Sequence, residues 1–106
     1  MKQTKLITRW QDAVFFGDEG PQPQKLLETE SFRVVLVGLK AGQRVPVHPA
    51  PASAYHFLAG SGRMSVDGEP LPVEPGATVV VPSGAKRGIE ADTDMVFLGS
   101  QTAVLE

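Results

Sequence analysis

Nine prolines and eleven glycines are spread through 106 residues, most of them between short apolar runs. Proline fixes φ and lacks an N–H, and glycine weakens helix interiors, so a chain cut this often has few places for a helix. No window sustains apolar residues at i, i+3, i+4 and i+7. What remains between the breaks are runs of four to eight residues suited to strands, and the chain reads as all-β, a sandwich or small barrel.

FRVVLVGL, from Phe32 to Leu39, is the strongest strand. Val34 and Leu36 fall on one face and Val35, Val37 and Leu39 on the other, so both faces need cover. RVPVHP (44–49) is extended but broken by proline, which places it at an edge or rim. Lys25–Leu27, Ala54–Ala59, a strand within Ser61–Pro70, Leu71–Val73, Ala77–Val81 and Met95–Gly99 complete the clear set. Residues 86–91 read as a weak strand, since only Gly88-Ile89 is apolar, and Asp67-Gly68 is a hairpin signal. TAVLE at the end is a last strand or a frayed tail.

Residues 1–24 read as an arm and a turn-rich connector, part of the same domain or a dimer contact, with residues 25–106 as the barrel. Trp10 and Phe15-Phe16 are expected to pack that arm, across a dimer or onto its own domain. Exposed sheet edges and an apolar arm point to a homodimer.

Composition narrows the functional classes. The formal net charge is −2 with no basic block, which argues against nucleic-acid binding. No apolar run approaches the roughly 20 residues of a membrane span. There is no cysteine, hence no disulfide, thiolate nucleophile or thiolate metal site. MKQTKLITRW lacks the apolar core of a signal peptide, so a cytoplasmic location is the expectation. Nucleophile-elbow, phosphate-loop and dinucleotide motifs are missing.

Both histidines lie in GQRVPVHPAPASAYHFLAGSG, Gly42 to Gly62. Gly42, five residues and then His48, with Gly60 further on, followed by Gly76, Pro82 and Gly84 at matching intervals, resemble the two motifs of the cupins. The Asp67-Gly68 hairpin falls between the motifs, as it does in that family, and the likeness spans about residues 25–100. It implies a small jelly-roll barrel, the double-stranded β-helix, similar to short single-domain bacterial members. It also implies a divalent-metal site, but the ligand positions depart from the pattern. Ala50 stands where the family has its second histidine, Ser53 or Ala54 where it has glutamate, Arg87 where it has the last histidine, and Ala91 at the asparagine position. Of the usual ligands His48 alone is left. One imidazole is too few for Zn, Fe or Mn, and a guanidinium beside it repels a cation. No cofactor is expected; were a metal bound (Zn, Fe, Mn or Ni), His48 and His56 would be its ligands.

His48 is the candidate catalytic and ligand-binding residue, because an imidazole titrates near neutral pH and the motif points it into the barrel. The plainer reading leaves it at the rim, bonded to backbone or water. His56 lies between Tyr55 and Phe57, so if those face inward it faces outward, unless a bulge reverses the strand. Arg87 is suited to a carboxylate or phosphate, or else turns to solvent and pairs with an acid such as Glu90. Lys86 faces outward by alternation. Tyr55, Phe57 and Met64, with Val79, form either the apolar wall of a cavity or ordinary core.

The reading these residues favour is a metal-free module that binds a small polar or anionic molecule with His48 and Arg87. Two alternatives stand beside it: a small isomerase, cyclase or oxygenase using His48, with or without a metal, and a structural or regulatory dimer with a closed core.

Overall fold

A computed structural model describes residues 4–103. Within them the chain forms nine strands: β1 (Gln22–Glu28), β2 (Phe32–Leu39), β3 (Arg44–Pro49), β4 (Ser53–Ala59), β5 (Gly62–Val66), β6 (Glu69–Val73), β7 (Thr78–Val81), β8 (Lys86–Ala91) and β9 (Met95–Thr102). A single 3₁₀ turn at Trp10–Asp12 is the one helical element among the described residues.

The strands make two antiparallel sheets, ordered β1-β2-β9-β4-β7 and β3-β8-β5-β6, which face each other as a jelly roll. All-β architecture is therefore as expected. β3, carrying Pro46, and β6, carrying Pro70 and Pro72, are the two edges of the smaller sheet, where a missing N–H costs no ladder bond. β5 and β6 are joined through Asp67 and Gly68, both at positive φ (48° and 85°), the geometry that an Asp-Gly hairpin turn supplies.

Strand ends and one strand's standing differ from the sequence expectation. β1 starts at Gln22, inside the presumed connector, and β9 runs to Thr102 instead of stopping at Gly99. The segment 86–91, read as weak, lies between β3 and β5 at the centre of its sheet. Its buried residues are Arg87, Gly88, Ile89 and Ala91, and an apolar count undervalues such a strand. Of the terminal TAVLE run, Thr102 ends β9, Ala103 follows as a bend and 104–106 lie outside the described residues.

Between the sheets, Leu39, Phe57, Met64 and Met95 are wholly buried together with Val73, Val81, Ile89, Ala91 and Phe97. Phe97 contacts Tyr55 edge-on and Phe57 at a tilt, each with ring centroids 5.7 Å apart.

The second face of β2 is covered as its pattern requires. Leu36 and Val96, on the outer face of the larger sheet, are only 2% and 1% exposed. The arm reaches this face: a Cβ on Gly38 would lie 2.7 Å from the carbonyl oxygen of Phe15 and 3.0 Å from Val14. Glycine at 38 is what lets the arm backbone come so close. Gln43 Nε2 donates to the Gly17 carbonyl (2.7 Å), and Lys40 pairs with Asp18. Phe16 thus packs the arm onto its own domain, while Phe15 is exposed.

Candidate functional site

Above the packed core, a cavity of about 360 Å³ lies between the larger sheet and β3. Its wall on the larger sheet is built row by row, because residues opposite one another on neighbouring strands share a face. Val37 and Phe97 form the deepest row, Val35, Gly99 and Tyr55 the next, and Arg33, Gln101 and Ser53 the outermost. Pro21, Pro23 and Lys25 close one side, and Val45, Pro46 and His48 of β3 the other. Along β2 and β9 exposure rises from buried Val37 and Phe97 to exposed Arg33 and half-buried Gln101, while Ser53 of β4 stays buried, so the mouth opens on the Arg33–Gln101 side of the polar row. Gly99 contributes by lacking a side chain, since its Cβ would come within 3.4 Å of Val35 and 3.7 Å of Phe97.

His48 stands at this mouth, exposed, and opposite Arg87 in the β3–β8 pairing. Its Nδ1 is 2.8 Å from the Pro46 carbonyl oxygen. A carbonyl only accepts, so Nδ1 carries the proton and, in the neutral ring, Nε2 is left as the acceptor. The pocket reading and the rim reading of this histidine describe one and the same placement.

Arg87 is neither at the mouth nor in solvent. Its side chain is 1% exposed, and every donor meets a protein oxygen. Nε donates to Ala85 O (2.9 Å), and Nη2 to Ala50 O (3.1 Å) and Pro82 O (3.0 Å). Nη1 donates to Pro51 O (3.0 Å), Ser53 Oγ (3.0 Å) and Tyr55 OH (3.4 Å). The guanidinium ties β8 to the loops before β4 and before β8. Its fork is filled, so the expectation that Arg87 itself grips a ligand is corrected: it touches the cavity only through Ser53 and Tyr55. The expected surface partner, Glu90, is instead 2.9 Å from Arg63.

The aromatic and methionine candidates divide. Tyr55 lines the cavity. Phe57 and Met64 are 0% exposed and belong to the core beneath it, which corrects their assignment as ligand contacts, and Val79 packs against that core. His56 points away from the barrel, exposed, with Nδ1 2.7 Å from Thr78 Oγ1, as strand alternation required. The two imidazoles are not brought together, so His48 and His56 are not a metal pair. Lys86 is exposed, as expected.

Arg33, Gln101 and Lys25 line the cavity and were not among the sequence candidates. Arg33 could have been placed by stepping back from Val37 and Val35 in twos. Gln101 lay beyond the expected end of its strand, and Lys25 needed the β1–β2 register.

A family model for the cupin domain matches residues 35–99. The chain belongs to the cupin family. An RmlC-like cupin from Desulfovibrio desulfuricans is 30% identical over 96% of each chain, with a TM-score of 0.78. A conserved protein of unknown function from Streptococcus pyogenes superposes with a TM-score of 0.83 at 19% identity, covering 96% of this chain and 90% of the other. A mutant salicylate 1,2-dioxygenase from Pseudoaminobacter salicylatoxidans shares the fold at 20% identity and a TM-score of 0.74. The match covers 80% of this chain and only 27% of that one. No curated protein matches the sequence.

The metal that many cupins carry does not fit the donors of this one. Of the two glutamate-equivalent positions Ser53 is buried and Ala54 is not, and Ser53 already accepts from Arg87. A permanent cation sits at the last ligand position, and among the described residues no three or more His, Asp or Glu side chains converge.

Proposed function

We propose that this cupin domain is a small-molecule-binding module that works without a bound metal, with the open end of the barrel as its site. The observation that carries the reading is the cavity itself, about 360 Å³, apolar at depth and polar at its mouth. That size and that division of labour, walls for affinity and a few polar groups for orientation, are usual for small-ligand sites. Arg87 supports it from behind by holding Ser53 and Tyr55 in place.

The test is titration of ¹⁵N-labelled protein with benzoate, benzamide, hexanoate and cyclohexanol, read residue by residue from amide shifts. Saturable shifts clustered at residues 35, 37, 55, 99 and 101 are expected, and Gly99→Val, which fills the space beside Val35, should abolish them with the fold intact. Shifts on none of these residues with any of the four, or shifts that survive in folded Gly99→Val protein, would contradict the reading.

A second reading, a small enzyme, is favoured by one feature: the Pro46 carbonyl orients His48 so that Nε2 is a base at the mouth. It requires long-range ¹H–¹⁵N spectra to show neutral His48 protonated at Nδ1; protonation at Nε2 would remove its basis. A homodimer is proposed from apolar side chains left outside, Val80 on edge strand β7 being 77% exposed. Sedimentation equilibrium giving the monomer mass at high concentration would exclude it.

A further inference from the structure

Among the described residues, the lining of the cavity contains no aspartate or glutamate, although the whole chain carries 12 acidic residues against 10 lysines and arginines. The charged side chains that do line it are Lys25 and Arg33, with His48 beside them. Lys25 pairs with Glu28 at 3.2 Å, and Glu28 is also the residue opposite Arg33. That carboxylate is engaged, and among the described residues no ion pair involves Arg33. Behind the wall lies a second uncompensated cation, since all the groups that Arg87 contacts are neutral oxygens. Burial in a medium of lower dielectric makes its field felt further than that of a surface arginine.

The polar groups of the wall are turned to match. Tyr55 OH accepts from Arg87 Nη1, which leaves its own proton to donate into the cavity. Ser53 Oγ also accepts from Arg87, and its single proton is shared between Pro51 O (2.8 Å) and Gln101 Oε1 (3.2 Å). With Oε1 turned toward Ser53, the amide N–H groups of Gln101 are left for whatever sits in the mouth. Acceptors are turned inward to Arg87 and donors outward to the cavity, around a row that ends in Arg33. Beneath this row the walls are apolar: Val35, Val37, Val45, Pro46 and Phe97.

We infer that the ligand is a small organic anion, a carboxylate on an apolar body about the size of a benzene ring. Its charged end lies on the Arg33–Gln101 row, its body lies against Val35 and Phe97, and the buried Arg87 biases the site toward negative charge without touching it. This rests on the cavity being a binding site at all, and the experiment separates the two statements.

Benzoate and benzamide have nearly the same shape and differ in charge. By the same amide-shift titration, benzoate should bind about tenfold or more tightly than benzamide, as expected when charged acceptors meet several donors. Arg33→Gln, an exposed substitution that leaves the fold alone, should weaken benzoate by roughly three- to tenfold and leave benzamide unchanged. Tyr55→Phe should also weaken benzoate selectively. If benzamide binds as well as benzoate, the anion inference fails while the binding module stands. If benzoate binds better but is indifferent to Arg33→Gln, the place given to its charged end is wrong and the inference fails as stated. If neither probe shifts a lining residue, the anion inference fails, and the binding module falls with it only when hexanoate and cyclohexanol shift none either.

Discussion

Replacing Arg87 with methionine keeps most of the aliphatic stem and removes all five N–H donors, so it isolates what the guanidinium contributes. Six protein oxygens lose a donor at once: the carbonyls of Ala50, Pro51, Pro82 and Ala85, and the hydroxyls of Ser53 and Tyr55. Three of the carbonyls retain another partner, Ala50 O from Gly84 N (2.9 Å), Pro82 O from Ala85 N (3.3 Å) and Pro51 O from Ser53 Oγ (2.8 Å), which softens the loss. Removing the charge also removes the cost of burying it. Hydrogen bonds to charged groups are worth about 1.5–3 kcal/mol each before such offsets, and each buried oxygen left without a partner costs about 1–3 kcal/mol. We take about 3–5 kcal/mol as the net loss. For a domain of this length each kcal/mol moves Tm by about 4–8 °C, so a fall of at least about 12 °C is expected. Arg87→Lys retains a charge but cannot span both loops, and should fall between wild type and the methionine variant. Urea unfolding and calorimetry measure the effect, with Arg63→Met as control: Arg63 is half exposed, and its pairs with Glu90 and Asp92 are worth at most about 1 kcal/mol. An Arg87→Met protein within about 1 kcal/mol of wild type would refute the idea that the guanidinium clamps the barrel.

Two further outcomes follow from local geometry. Gly60 has φ +77° and a Cβ there would lie 2.0 Å from the Asp94 carbonyl oxygen, so Gly60→Ala should cost about 3 kcal/mol or more by chemical denaturation; a loss under about 1 kcal/mol would contradict the close approach of these chains. The Lys40 side chain, by hydrogen bonding and then by charge, holds the Asp18 carboxyl below its ordinary range. A depressed folded-state value means that the tether of the arm is present above the unfolded carboxylate range and lost as pH falls through the folded one. Carboxylate NMR should place Asp18 below a free aspartate in wild type and nearer to it in Lys40→Met; equal titration in both would contradict the pair.

Much of the architecture was legible because it rests on local rules. The double-faced pattern of Phe32–Leu39 demanded a cover that the arm supplies at Gly38, the prolines of 44–49 marked an edge, and Asp67-Gly68 turned the chain as its dihedral preferences require. Alternation through Tyr55, His56 and Phe57 set His56 outside. The site was less legible because it is made by register between distant segments. Nothing in residues 33, 53 and 101 taken singly says that they share a row, and nothing near Arg87 announces that four loop carbonyls converge on it. A motif comparison identifies the ligand position that Arg87 occupies, but whether a guanidinium there grips a ligand or the backbone depends on how the 50–53 and 82–85 loops close. Phe57 and Met64 kept both a wall and a core reading for a related reason, since inward direction alone does not give depth.

The most direct measurement is the metal content of the native protein, purified without chelators and followed by a crystal structure grown without added metal. Transition-metal content well below one ion per chain, with the Arg87 guanidinium seen against the carbonyls of residues 50, 51, 82 and 85, is the expected result. A full equivalent of Zn, Fe, Mn or Ni coordinated at His48, with Arg87 swung out of the barrel, would contradict it.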